Sequence, residues 1–201
     1  MTTTAQSADE YIAEQKNKLA KNPQCANTRY NLGVAYLSKR MWHEAEREFR
    51  QAAQDSPKMA EAYVQLGGIC MHRGDLEGCM SFNRMAKDVR PAFAVPFANI
   101  GFCLLQQGKV EDAIANLRKA VGRDPTFVQA WSTLGSAFYM QNDLDEAEKA
   151  LTKALELEPR FGPAYNNLAL VWLDRGDKAK ALENVELARK WGYEVDPKLV
   201  E

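Results

Sequence analysis

Five side chains recur along this chain at a fixed step of 34 residues: Asn31, Gln65, Asn99, Thr133 and Asn167. Four are amides and one is a hydroxyl. An amide carries both donor and acceptor, so a row of them can pair with the N–H and C=O groups of an extended polypeptide without reading its sequence. The remaining chemically capable residues are less ordered. Cys70, His72 and Cys79 invite a metal or thiol reading, but their spacing fits no ligand set, and a buried cysteine otherwise behaves as a small hydrophobe. Two histidines, one of them in His43-Glu44, make neither a zinc motif nor a triad. No glycine-rich phosphate loop precedes a helix, and the acids Asp143, Asp145, Glu146, Glu156 and Glu158 read as solvated helix residues. No catalysis, cofactor or metal is expected.

The elements that must position the amide row follow from punctuation. Gly33, Gly67, Gly101 and Gly135 keep the 34-residue step, as do Pro23, Pro57, Pro91, Pro125 and Pro159. Ala45, Cys79, Ala113, Ala147 and Ala181 form one column of small residues, and Ala52, Ala86, Ala120, Ala154 and Ala188 another. Such periodicity predicts a stack of identical units rather than a single globular core. Each unit reads as two antiparallel helices, with turns at Lys39-Arg40, Arg73-Gly74, Gln107-Gly108, Gln141-Asn142 and Arg175-Gly176, where Gly and Asn suit a left-handed helix end. Ser7 and Glu10 form a capping box that starts an additional first helix.

In Val128–Pro159, Trp131, Leu134-Gly135, Phe138, Ala147, Leu151, Ala154 and Pro159 fall at the places of the tetratricopeptide pattern. The chain therefore resembles tetratricopeptide repeat proteins over about residues 8–193. The resemblance implies an all-α, right-handed α-solenoid of antiparallel helix pairs. The expected layout is a disordered tail (1–7), a capping helix (8–22), five repeats (26–59, 60–93, 94–127, 128–161 and 162–193) and a C-terminal tail (194–201). The fifth repeat departs from the pattern: Ala169 replaces the glycine, and Trp191, Tyr193 and Val195 are placed to fold back over the last helix. Cys70 falls in the tyrosine column and Cys79 in a small-residue column, which gives both a structural role.

The resemblance further implies that first helices line a concave groove. Repeat by repeat the groove stripe offers Tyr30, Asn31 and Val34; Val64, Gln65 and Met71; Asn99, Phe102 and Leu105; Thr133, Ser136 and Tyr139; and Asn167 and Leu170. The amide row is similar to the asparagine ladder of the O-linked N-acetylglucosamine transferases, where it holds substrate backbone. Co-chaperones of this fold grip a terminal carboxylate with basic residues; here Tyr30, Val34, Gln65, Val95 and Asn99 stand in those columns, so a carboxylate-ended tail is disfavoured. The apolar groove residues either meet a ligand or pack sideways between repeats.

The expected function is a protein–protein interaction module, an adaptor or chaperone, holding a peptide segment through Tyr30, Asn31, Val64, Gln65, Met71, Asn99, Phe102, Leu105, Thr133, Tyr139, Asn167 and Leu170. The alternative is a self-associating scaffold. Whether the peptide is extended or helical stays open. A formal net charge of −1 gives no bulk attraction to nucleic acid. No apolar run reaches the ~18–20 residues of a membrane span, and no secretory leader is visible at the N-terminus, so a monomeric cytoplasmic protein is expected.

Overall fold

The computed structural model describes residues 7–196. Among them it contains eleven helices and no strand: α1 (Ala8–Lys21), α2 (Ala26–Ser38), α3 (Trp42–Asp55), α4 (Ala60–His72), α5 (Leu76–Val89), α6 (Ala94–Gln106), α7 (Val110–Arg123), α8 (Val128–Met140), α9 (Leu144–Leu157), α10 (Gly162–Asp174) and α11 (Lys178–Lys190). Residues 1–6 of the expected N-terminal tail and 197–201 of the C-terminal one lie outside the described residues. The chain divides between Pro96 and Phe97, within α6, into two compact units.

In the first unit the Glu10 amide donates to Ser7 Oγ at 3.2 Å and the Ser7 amide to Glu10 Oε2 at 3.0 Å, the reciprocal capping box that starts α1. Ile12 of α1 then joins Leu32, Tyr36, Phe49, Leu66 and Ile69 in one buried cluster, so α1 covers the open side of the α2–α3 pair.

Within each pair the two helices touch at the glycine column. A Cβ on Gly101 would lie 2.6 Å from Leu117 Cγ, one on Gly135 2.5 Å from Leu151 Cγ, and one on Gly33 2.7 Å from the Phe49 ring. Glycine is required there by close approach. The opposing column reads Phe49, Asn83, Leu117, Leu151 and Val185. Ala169, in the fifth glycine place, is fully buried beside Val185, a smaller partner than leucine or phenylalanine. One methyl gained is offset by volume lost opposite, as close packing demands. Asn83 is also fully buried, and its Nδ2 donates to the Cys79 carbonyl at 2.8 Å, which satisfies an amide in an otherwise apolar column.

The turn inside each pair has one backbone solution. Residues 40, 74, 108, 142 and 176 all have positive φ, and the following amide bonds back to the carbonyl five residues earlier, as in Met41 to Tyr36 and Asp143 to Phe138, both 2.9 Å. Gly74, Gly108, Asn142 and Gly176 tolerate this conformation; Arg40, at φ 58, carries the same turn with a long branched-off side chain. The junctions between repeats also repeat. Arg29 Nη2 donates to the Pro23 carbonyl at 2.7 Å, Trp131 Nε1 to that of Pro125 at 2.9 Å, and Tyr165 Oη to that of Pro159 at 3.1 Å. A guanidinium, an indole and a phenol thus perform one task from one column. Arg29 needs charge compensation in its half-buried place and finds it in Asp55 (2.8 Å) and Glu48 (3.1 Å).

At the C-terminal end of the second unit Val195 is buried against Tyr165, Ala169, Val185 and Ala188, so the chain folds back over α10 and α11.

Two substitutions test this packing from opposite sides. Gly68→Ala, whose Cβ would meet nothing within 4 Å in mid-helix, is expected to stabilise by about 0.5–1 kcal/mol. Gly101→Ala is expected to destabilise by about 1–3 kcal/mol through overpacking. Arg40→Gly should stabilise by about 1 kcal/mol by relieving the left-handed residue. Urea melts followed by circular dichroism read all three; equal midpoints for the two Gly→Ala variants would contradict the close-approach account.

Candidate peptide-binding site

In the second unit α6, α8 and α10 present adjacent stripes to one cavity of about 600 Å³. α6 contributes Phe102, Leu105 and Gln106; α8 contributes Gln129, Ser132, Thr133, Ser136 and Met140; Pro163 and Asn167 come from α10, and Phe161 from just before it. The α8 residues fall at spacings of three, one, three and four, which is one face of a helix. No lining side chain is charged. The apolar side chains can hold an uncharged side chain of a ligand, and the amides and hydroxyls can meet its backbone.

The polar members are already partly committed. Asn167 Nδ2 donates to Ser136 Oγ at 2.8 Å, Ser136 Oγ to the Ser132 carbonyl at 3.2 Å, and Thr133 Oγ1 to the Gln129 carbonyl at 2.8 Å. The two hydroxyl hydrogens therefore point into the α8 backbone and leave oxygen lone pairs outward. Asn167 keeps a second amide hydrogen, since an amide nitrogen carries two.

Of the residues predicted from sequence, the cavity gathers Phe102, Leu105, Thr133 and Asn167. Asn99, Tyr139 and Leu170 are half-buried outside its lining. The Tyr139 phenol is pushed above the ordinary tyrosine range by burial, and then by its hydrogen bond to Asp174 and that residue's charge. In the first unit Asn31 is exposed, and Tyr30 tilts against Phe49 with ring centroids 5.6 Å apart while accepting from Gln65 Nε2 at 3.3 Å. Val64 packs beside a buried cluster, Met71 is half-buried, and Val34 stands 41% exposed rather than between repeats. Phe161 and Pro163 were not among the predicted site residues. Phe161 continues a column through Met59, Phe93 and Phe127 at the 34-residue step, a signal that lies just ahead of each first helix and outside the helical stripe.

Tetratricopeptide repeat family models match residues 30–78 and 104–169, together more than half of the chain. The chain belongs to the tetratricopeptide repeat proteins. No curated protein matches its sequence. Among solved structures it is similar to YrrB, described as a TPR protein with an unusual peptide-binding site, at 18% identity and TM-score 0.69 over 96% of this chain and 97% of that one. It is also similar to PilW, a widely conserved type IV pilus biogenesis factor, at 21% identity and TM-score 0.77 over 87% and 80%. PilF of Pseudomonas aeruginosa matches at 19% identity and TM-score 0.75 over 84% and 77%. At these identities the likeness establishes the fold: an all-α solenoid of helix pairs. No helix among the described residues is long and apolar enough to cross a membrane.

The thiols occupy structural places. Cys70, Cys79 and Cys103 are buried, and all four cysteines are in the thiol form. Among the described residues no group of three or more His, Cys, Asp and Glu could hold a metal. Burial pushes the Cys70 thiol up despite the nearby Arg73. Cys25 is half-buried at the start of α2, and the Thr28 side chain, then its amide, lower its thiol. One of the four thiols, Cys25, should therefore react quickly with an aromatic disulfide in the native protein, the other three at least roughly tenfold more slowly until urea is added. A Cys25→Ser variant that kept a fast-reacting thiol would contradict this.

Proposed function

We propose that this protein is a binding module, an adaptor or chaperone, that holds an uncharged peptide segment of a partner protein against α6, α8 and α10. The observation that carries the reading is the 600 Å³ cavity lined by aromatic, aliphatic, amide and hydroxyl side chains with no charge among them. Burying a ligand carboxylate or ammonium there would leave it unpaired, which is costly, whereas a peptide backbone with apolar side chains finds partners for both. Phe102, Leu105, Phe161 and Met140 would anchor side chains. Thr133 and Asn167 would meet backbone groups, with Asn31, Gln65 and Asn99 as the equivalent positions elsewhere in the array. That YrrB is described as having a peptide-binding site fits this reading. Four cysteines in the thiol form suit a reducing compartment such as the cytoplasm.

A random library of short peptides displayed on phage tests the proposal. Enriched sequences are expected to be apolar-rich and free of net charge. Ser136→Arg, which places a charge and bulk in the cavity, should weaken them by at least about tenfold. Asn167→Ala should weaken them by roughly 2- to 10-fold, the worth of one hydrogen bond. Enrichment of charged peptides, or affinity untouched by Ser136→Arg, would sink the reading.

A further inference from the structure

A different stripe of α8 borders a second cleft of the second unit, about 360 Å³, between α7 and α9. Trp131, Leu134, Phe138 and Ala150 give it an apolar floor, and Arg118 and Lys153 stand at its rim. The first unit contains the same cleft 68 residues earlier. Arg50, Tyr63, Leu66, Phe82 and Met85 occupy the positions of Arg118, Trp131, Leu134, Ala150 and Lys153, and the cleft there measures about 220 Å³.

The two copies differ in what their arginine touches. Arg50 has both of its partners within the chain: its Nη2 and Nε donate to Glu46 Oε1 at 2.7 and 3.0 Å, and its guanidinium lies 5.4 Å from the centre of the Phe82 ring. The corresponding residues of the second unit, 68 further on, are Ile114 and Ala150. Neither a carboxylate nor a ring is offered at those places. Among the described residues Arg118 meets no carboxylate; its guanidinium lies over Phe138 of the floor, 5.3 Å from the ring centre. The lysines at the rim are already matched, Lys149 with Glu146 and Lys153 with Glu156, so the uncompensated charge at this cleft is that of Arg118. The small Ala150 side chain leaves the floor open where Phe82 partly fills the other copy.

We propose that this cleft binds a partner polypeptide through an aromatic side chain flanked by a carboxylate, supplying from outside the two groups that Phe82 and Glu46 supply to Arg50 from within. The ring enters above Ala150, against Trp131 and Leu134, and the carboxylate takes the fork of Arg118. An aromatic anchor buried in a cleft with a charge-assisted pair at its edge is the combination that dominates interface energetics. The cleft is separate from the uncharged cavity and selects the opposite kind of ligand, so one array can hold two segments at once.

The probe is the acetylated, amidated pentapeptide glycine–glutamate–phenylalanine–glutamate–glycine, titrated into labelled protein while the Trp131 indole N–H resonance is followed. Saturable shifts are expected. Arg118→Gln at the exposed rim should weaken binding by at least about fivefold, and so should glutamine in place of both glutamates in the peptide. Alanine in place of the phenylalanine should remove the response. Ala150→Phe, which installs the residue that the first unit already accommodates, should block entry, and Ser136→Arg should leave binding unchanged. An unsaturable response, equal affinity for Arg118→Gln, or equal affinity for the glutamine peptide overturns the proposal. If Ala150→Phe fails to fold, the Arg118 variant and the peptide controls decide the matter.

Discussion

Everything else in this chain depends on the contact between a residue without a side chain on one helix and the largest side chain of its partner. At Gly33, Gly101 and Gly135 there is room for a hydrogen and for nothing more, because Phe49, Leu117 and Leu151 already fill the space where a Cβ would stand. That contact sets how near the helices of a pair lie. The nearness in turn makes the small-residue columns necessary, and Ala45, Cys79, Ala113, Ala147 and Ala181 are all fully buried. The contact is a constraint on pairs of positions, not on single ones. Ala169 with Val185 shows it being met by a different division of volume, and Asn83 shows it being met by a polar group whose hydrogen bond to the Cys79 carbonyl removes the penalty of burial.

The repeat is held to its length by backbone chemistry as much as by packing. A left-handed residue ends the first helix and a proline carbonyl, captured from the next first helix, ends the second. The acceptor is constant and the donor is not. Arg29 does the work of Trp131 and Tyr165, but as a cation in a half-buried place it brings Glu48 and Asp55 with it, and so converts an apolar junction into an ionic one. Such a triad is worth little beyond what it spent on desolvation, yet it tolerates the loss of neither carboxylate well.

The fold was legible in the sequence because its determinants are backbone requirements that few residues meet. Glycine where two helices touch, proline where one ends, and Gly or Asn at a left-handed φ leave marks at every period. The site was legible only in part. A column of amides can be seen in Asn31, Gln65, Asn99 and Asn167, but their availability depends on neighbours outside the column. Tyr30 accepts from Gln65 and Ser136 from Asn167, and neither partner stands in the same place in the other repeats. Thr133 looked like the one break in the row for want of an amide; its hydroxyl hydrogen is in fact turned into its own helix. Phe161 was hidden because it precedes the helix whose stripe was being read. The cleft at Arg118 was hidden because its distinction is comparative: Ala150 means little until Phe82 is seen in its place.

Val195 gives the array a direction of growth. In a stack of like units any end could in principle be extended by duplication, since each unit presents the surface that the next one needs. Here the surface of α10 and α11 that would receive a sixth unit is already used by the chain's own residues, with Val195 buried against Ala169, Val185 and Ala188. A duplicated segment spliced in after Lys190 would have to evict that residue and find another way to cover what it covers. A duplication between two internal prolines would meet a matching carbonyl on one side and a matching donor column on the other. Lengthening in evolution, or by engineering, is therefore easiest from the middle, and the two ends travel outward unchanged as the array grows.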